Sequence, residues 1–119
     1  MKWQSALFLS GTFASQVIAG TDSIDCDIDE PYAGYSIING IEYLRGLDGQ
    51  PVARAEKCNR VSCSYGGGIY VCSDDGKDHP LKSWGTVADV AEKIKQECGY
   101  RGRLYSSDGW GAIIQGADC

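Results

Sequence analysis

Six cysteines hold most of the chemistry available to this chain: Cys26, Cys58, Cys63, Cys72, Cys98 and Cys119. No C-x-x-C spacing occurs, and the only histidine is His79. A structural zinc site needs closely spaced Cys or His ligands, so no metal ligand is expected. An even set of cysteines in an oxidising compartment pairs instead as disulfides. Three bridges are expected, with a pairing that the spacing alone does not choose. Other reactive groups are sparse. A nucleophilic triad needs a histidine base, and His79 lies beside Pro80 in a polar stretch, where it reads as an exposed loop residue. No G-x-S-x-G, H-E-x-x-H or phosphate-loop pattern occurs. Gly66-Gly67-Gly68 precedes a strand-like run, so it lacks the helix N-terminus that holds a phosphate.

Carboxylates are more plentiful. Two suffice for glycoside hydrolysis, and a histidine with a glutamate could serve a small ribonuclease. Among 16 acidic residues, however, nothing marks one pair over another. Asp22, Asp25, Asp27, Asp29 and Glu30 form an acidic run. It lacks the central glycine and distal glutamate of a calcium loop, and reads as a solvated arm. No catalytic, metal-binding or cofactor-binding residue is assigned, and the chain is expected not to be an enzyme. The residues left for binding are Trp84, Trp110 and the tyrosines, which suit a sugar- or protein-binding face. Trp110 starts a terminal strand and reads as core. The open edges of a small sheet offer a further route, strand addition by a partner.

The ends of the chain imply the compartment. Lys2 is followed by the apolar stretch Ala6-Leu7-Phe8-Leu9, which continues to Val17-Ile18-Ala19. Small residues at the −3 and −1 positions before Gly20 complete the layout of a cleavable signal peptide. Ser10, Thr12, Ser15 and Gln16 interrupt the run, which argues against a membrane span. Residues 1–19 are therefore read as a signal peptide and residues 20–119 as a single cysteine-rich secreted domain. Removing Lys2, the only charged residue of the leader, makes the formal net charge of −5 more negative by one. That disfavours general nucleic-acid binding and charge-driven binding to anionic lipid.

The elements that must position these groups follow from periodicity. Residues 20–35 read as an extended or irregular arm tied down by Cys26. Ile37, Ile41 and Tyr43 share a period-two face, so Ile41–Arg45 is expected as a strand. Residues 48–57 are expected as an exposed loop. Residues 60–65 and 69–72 form a hairpin, with two registers open. A two-residue Gly67-Gly68 turn sets Cys63 opposite Cys72. A three-residue turn places Val61, Cys63, Tyr65, Ile69 and Val71 on one buried face, and is favoured for that reason. Residues 73–82 are polar and expected as loop. Thr86, with Asp89 three residues on, reads as the N-cap of a helix over about 87–98. Val87, Val90, Ala91, Ile94 and Cys98 form its apolar stripe, and Gly99 ends it. Cys98 then bridges to a strand cysteine beneath it. Arg103–Tyr105 and Trp110–Gly116 form a last hairpin, and Cys119 pins the terminus. The sum is an α+β domain: a small antiparallel sheet with one packed helix, stapled by three disulfides.

The run Ile41–Leu47 (IEYLRGL), the hairpin Cys58-Asn59-Arg60-Val61-Ser62-Cys63-Ser64-Tyr65 with Ile69-Tyr70-Val71-Cys72-Ser73-Asp74, the helix end Ile94–Cys98, and Trp110-Gly111-Ala112-Ile113-Ile114 with Asp118-Cys119 resemble a family of fungal small secreted cysteine-rich proteins, many treated as candidate effectors. The match covers roughly residues 41–119, and C-N-R-V-S-C-S-Y is its most specific part. The chain is also similar to the six-cysteine "secreted in xylem" type of effector of wilt fungi. The resemblance implies a non-enzymatic virulence factor of the plant apoplast or xylem, able to enter host cells. It implies a protein partner, a host protein or a second effector whose cell-to-cell movement it assists. It supplies no catalytic residues. The acidic arm lies outside the match, and the triglycine departs from the bulkier polar residues expected there. Two other classes stand beside it: a carbohydrate-binding protein for cell-wall fragments, and an antimicrobial or killer-type toxin, which the negative charge weakens.

The compartment reading has a direct check. Expressed in a fungal secretion host, the protein should appear in the medium with Gly20 as its first residue. Its intact mass should be about 6 Da below that of the fully reduced form, two hydrogens for each of three bridges.

Overall fold

The computed structural model describes residues 22–119; the expected signal peptide lies outside the described residues. The elements in chain order are β1 (Ser23–Asp25), α1 (Ile37–Arg45), β2 (Val52–Ala53), β3 (Cys58–Ser64), β4 (Gly67–Ser73), β5 (His79–Pro80), α2 (Trp84–Cys98), β6 (Gly102–Tyr105) and β7 (Trp110–Gly116). A five-stranded antiparallel sheet has the order β1-β6-β7-β4-β3, and β2 pairs with β5 in a second small sheet. Helices α1 and α2 both pack on one face of the large sheet. The fold is the expected α+β class with three disulfides, and it contains a second helix.

That second helix corrects the strand expected at Ile41–Arg45. A repeat of four residues fits both a strand and a helix, so Ile37 and Ile41 do not discriminate. Leu44 does. Ile37, Gly40, Ile41 and Leu44 are buried at helical spacing, while Tyr43, which period two would bury, is 57% exposed. Helix α2 carries the expected stripe, with Val87, Ala88, Ala91 and Ile94 buried. Its start lies three residues earlier than expected. Ser83, not Thr86, is the N-cap, and its hydroxyl accepts from the Thr86 N–H. Asp89 is then free of capping and pairs with Arg45 across the helices. Gly99, with φ +83, ends α2 as expected.

The hairpin follows neither expected register. Its turn is Tyr65-Gly66, with φ +45 and +88, the doubly left-handed pattern of a tight hairpin turn. Gly67 and Gly68 belong to β4. A bulge at Val61 shifts the pairing, so Cys58 lies opposite Cys72 and Ser62 opposite Ile69. Period two makes this decisive, because a one-residue shift exchanges the two faces. Ser62, Ile69 and Val71 face the helices, and Tyr65 is 88% exposed rather than buried. The core is completed by Leu104 of β6, by Trp110, Ala112 and Ile114 of β7 and by Ala53 of β2, with Ala33 and Leu81 from the connections.

The two segments expected as loops each contain a short strand. Val52 and Ala53 of one pair with Pro80 and His79 of the other. Ala53 and Leu81 are apolar residues with core to reach, and that burial draws polar sequence into a ladder. The arm is irregular apart from β1, which pairs with β6.

Bridges join Cys26 to Cys98, Cys58 to Cys72, and Cys63 to Cys119. Cys98 therefore reaches the arm rather than Cys63 or Cys72 of the sheet. The C-terminal end of α2 lies over the β1–β6 margin, where the cysteine just beyond β1 is the nearest partner.

Bridge removal should scale with the chain length each one closes. In the chain-entropy account, losing Cys26–Cys98, separated by 72 residues, should cost about 4 kcal/mol and losing Cys58–Cys72, separated by 14, about 3 kcal/mol. Ile69→Ala, which empties a fully buried site, should cost about 2–5 kcal/mol. Urea unfolding of the oxidised protein measures all three.

Candidate functional site

Three surface regions gather functional groups. The first lies where α1 runs beside β3. Gly40 is the point of contact: a Cβ there would sit 2.7 Å from Ser62 Oγ and 3.2 Å from Ile69 Cδ1, so only glycine lets the helix come this close. The approach leaves a groove of about 290 Å3 lined by Asn39, Gly40 and Tyr43 of α1 and by Val61 through Ser64 of β3. At its end stands the hairpin turn, where Ser36 Oγ donates to the Tyr65 carbonyl at 3.2 Å and so ties the start of α1 to the turn.

The second lies beyond that turn. A cleft of about 380 Å3 is lined by Glu30, Pro31, Tyr32, Gly66, Gly116, Ala117 and Asp118. Arg101 stacks on the Tyr32 ring at 4.0 Å and donates to the Glu30 carbonyl and the Tyr32 hydroxyl. The stacked guanidinium fixes the ring, which is 63% exposed. On the same outer sheet face, Arg103 pairs with Asp74 and stacks on Tyr105.

The third holds His79. It is not a free loop residue as expected: its side chain is 21% exposed, and Nε2 lies 2.7 Å from Asp75 Oδ1. The hydrogen bond from His79 is the main cause that holds the Asp75 carboxyl below its usual value, with the Lys77 backbone N–H adding to it. Gly109, at φ +92, packs its backbone directly on the pair. The pair fastens the 73–80 segment to the β6–β7 turn, which is a structural role. A recess of about 290 Å3 beside it is lined by His79, Lys82, Thr86, Asp108 and Trp110, among others.

The six cysteines all lie in bridges, and Trp110 is core, as expected. Trp84 is partly buried at the start of α2, packed against the core. Neither indole stands free as a binding platform. Among the described residues, the exposed aromatic groups are tyrosines: Tyr32, Tyr35, Tyr43, Tyr65 and, at 37%, Tyr105. Sequence reasoning named no individual tyrosine as a binding residue, and it placed Tyr65 on a buried face. The signal for Tyr43 was the helical spacing of Ile37, Ile41 and Leu44, which turns its ring outward. Among the described residues, no cluster of three or more metal-ligating side chains occurs, and no helix is long and apolar enough to cross a membrane. Comparisons with protein-family models, curated proteins and solved structures return no match to this chain.

The Asp75–His79 pair has a testable sign. Asp75 titrates lower in the folded chain than in the unfolded one. Its contribution to stability is therefore complete above the ordinary carboxylate value near 3.8 and is lost as pH falls through the lowered folded value. Asp75→Asn should flatten the acid limb of the stability–pH curve in that window. Thermal melts from pH 2 to 7 measure it.

Proposed function

We propose that this protein is a secreted, non-enzymatic effector that acts by contact with another protein, either a host protein or a second effector that it accompanies between plant cells. The observation that carries the reading is the placing of the exposed tyrosines. Tyr35 and Tyr65, 79% and 88% exposed, stand at the start of α1 and the tip of the β3–β4 hairpin, and Tyr43, 57% exposed, lines the groove further along α1. Tyrosine gives large, rigid contact area at low entropic cost, and it is enriched at the centres of protein interfaces. Here the rings stand on a frame held by three disulfides, so little ordering is required on binding. The resemblance to fungal cysteine-rich effectors supports the same reading, as does the leader that the sequence implies for residues 1–19.

A second reading, binding of cell-wall carbohydrate, is favoured by the cleft beside Tyr32. An aromatic ring next to Glu30 and Asp118 over a glycine floor suits a sugar's apolar face and hydroxyls.

The two readings separate in one pair of measurements. Co-purification of the mature protein with other secreted proteins of its organism should give a stoichiometric complex. Tyr35→Ala with Tyr65→Ala should weaken that complex about tenfold or more, with an unchanged melting temperature. Strong retention on insoluble chitin or cellulose, lost on Tyr32→Ala, would instead sink the protein-contact reading as the sole account.

A further inference from the structure

We propose that the outer edge of β3, with the facing side of α1, takes up an extended segment of a partner protein as an added strand of the sheet. This rests on the protein-contact reading above and names its surface and mode.

The large sheet has two margins, and they differ. β1 has three residues, lies between Asp22 and Cys26, and itself carries Asp25. Short, charged edges resist pairing. β3 has seven residues and no acidic one, and it pairs only with β4. Part of its backbone N–H and C=O groups must therefore point away from the sheet. The chemistry that satisfies a row of alternating donors and acceptors is another extended backbone.

Edge strands tend to fray, but this one is held at two places. Cys58 joins it to β4 and Cys63 joins it to the C-terminal residue, so two of the three disulfides end on β3. A strand held in this way presents its free edge without an ordering cost. The bulge at Val61 bends the strand and divides its edge into two straight stretches, 58–60 and 62–64. The second of them borders the groove. Tyr65 closes it. A non-glycine residue at φ +45 is strained, and glycine or asparagine would relieve it. The tyrosine instead stands almost fully exposed at the end of the free edge, where a flat ring can cover a docked backbone.

Charge selects the occupant. Asn39, Gly40, Tyr43, Val61, Ser62, Cys63 and Ser64 are all uncharged, in a chain with 23% charged residues. A carboxylate or ammonium entering the groove would lose water without gaining a partner. The segment is therefore neutral at the positions that face α1. A second copy of this chain fits less well. Two β3 edges would bring Arg60 from each copy with no acidic residue on either strand to meet it, between molecules that are both net negative.

The test uses the disulfide-intact protein and random dodecamer peptides displayed on phage. Selected peptides should be uncharged at alternate positions. N-methylation at one alternate set of backbone nitrogens should lower affinity about tenfold or more, and methylation of the other set should change it little. Amide exchange should slow on binding within residues 58–65. Asn39→Arg, which places a charge in the groove from an exposed position, should weaken binding about tenfold without moving the melting temperature. Tyr43→Ala provides a second, smaller substitution in the same wall. The proposal is overturned if no peptide is selected, if neither substitution changes affinity, or if exchange slows elsewhere. Concentration-dependent self-association that protects residues 58–65 would also overturn it, in favour of a second copy. A protein partner that binds while those amides stay unprotected overturns this proposal alone and leaves the protein-contact reading standing. Absence of any protein partner counts against both.

Discussion

The register of β3 against β4 is the constraint on which the rest of this structure depends. The Tyr65-Gly66 turn starts it, the bulge at Val61 shifts it, and the Cys58–Cys72 bridge holds its far end. With this register Ile69 and Val71 point at the helices, and Cys63 points to the other side, where Cys119 reaches it. A slip by one residue would send Ile69 and Val71 to solvent and Cys63 into the core. Ser62 then sits under Gly40, the position where α1 makes its closest approach. The groove between α1 and β3 is thus a consequence of a choice made at the hairpin turn.

The bridges extend the same logic to the margins. A chain this small has limited core, here one helical layer on one sheet face, and cross-links supply much of the stability that burial cannot. Each bridge holds a part that burial alone would leave loose. Cys26–Cys98 ties the acidic arm to the end of α2, so that β1 can pair with β6. Cys63–Cys119 fastens the last residues over the sheet, where Arg60 donates to the Asp118 carbonyl. The result is a cross-linked frame that carries its charged and aromatic side chains at the surface.

Those features share a physical character. The histidine and several arginines are engaged with carboxylates, carbonyls or rings, and they brace loops to strands. The tyrosines near the hairpin tip are left uncovered. Polar side chains held in internal pairs brace the fold, while the exposed aromatic rings are left available to a partner. That division underlies both the protein-contact reading and the strand-addition proposal, and it places both at the same end of the molecule.

Local pattern alone determined a good deal. The stripe of α2, the strand Trp110–Gly116, the last hairpin and the stop at Gly99 were legible because each rests on neighbours within a turn or two. The α+β class followed from the order of the elements read along the chain, and the bonding of all six cysteines from their even number. What local pattern misjudged was settled by distant partners. Ile37 and Ile41 fit two periods, and only the sheet packed beneath them makes the segment helical. The hairpin offered two plausible turns, and burial of Ile69 and Val71 with the Cys58–Cys72 pair selected a third. Cys98 found Cys26, 72 residues away, because the ladder between β1 and β6 carries that arm beneath the helix end. The groove was invisible for the same reason. Its two walls are an element that sequence read as a strand and a strand whose register sequence misplaced, and a shared surface exists only once both are packed.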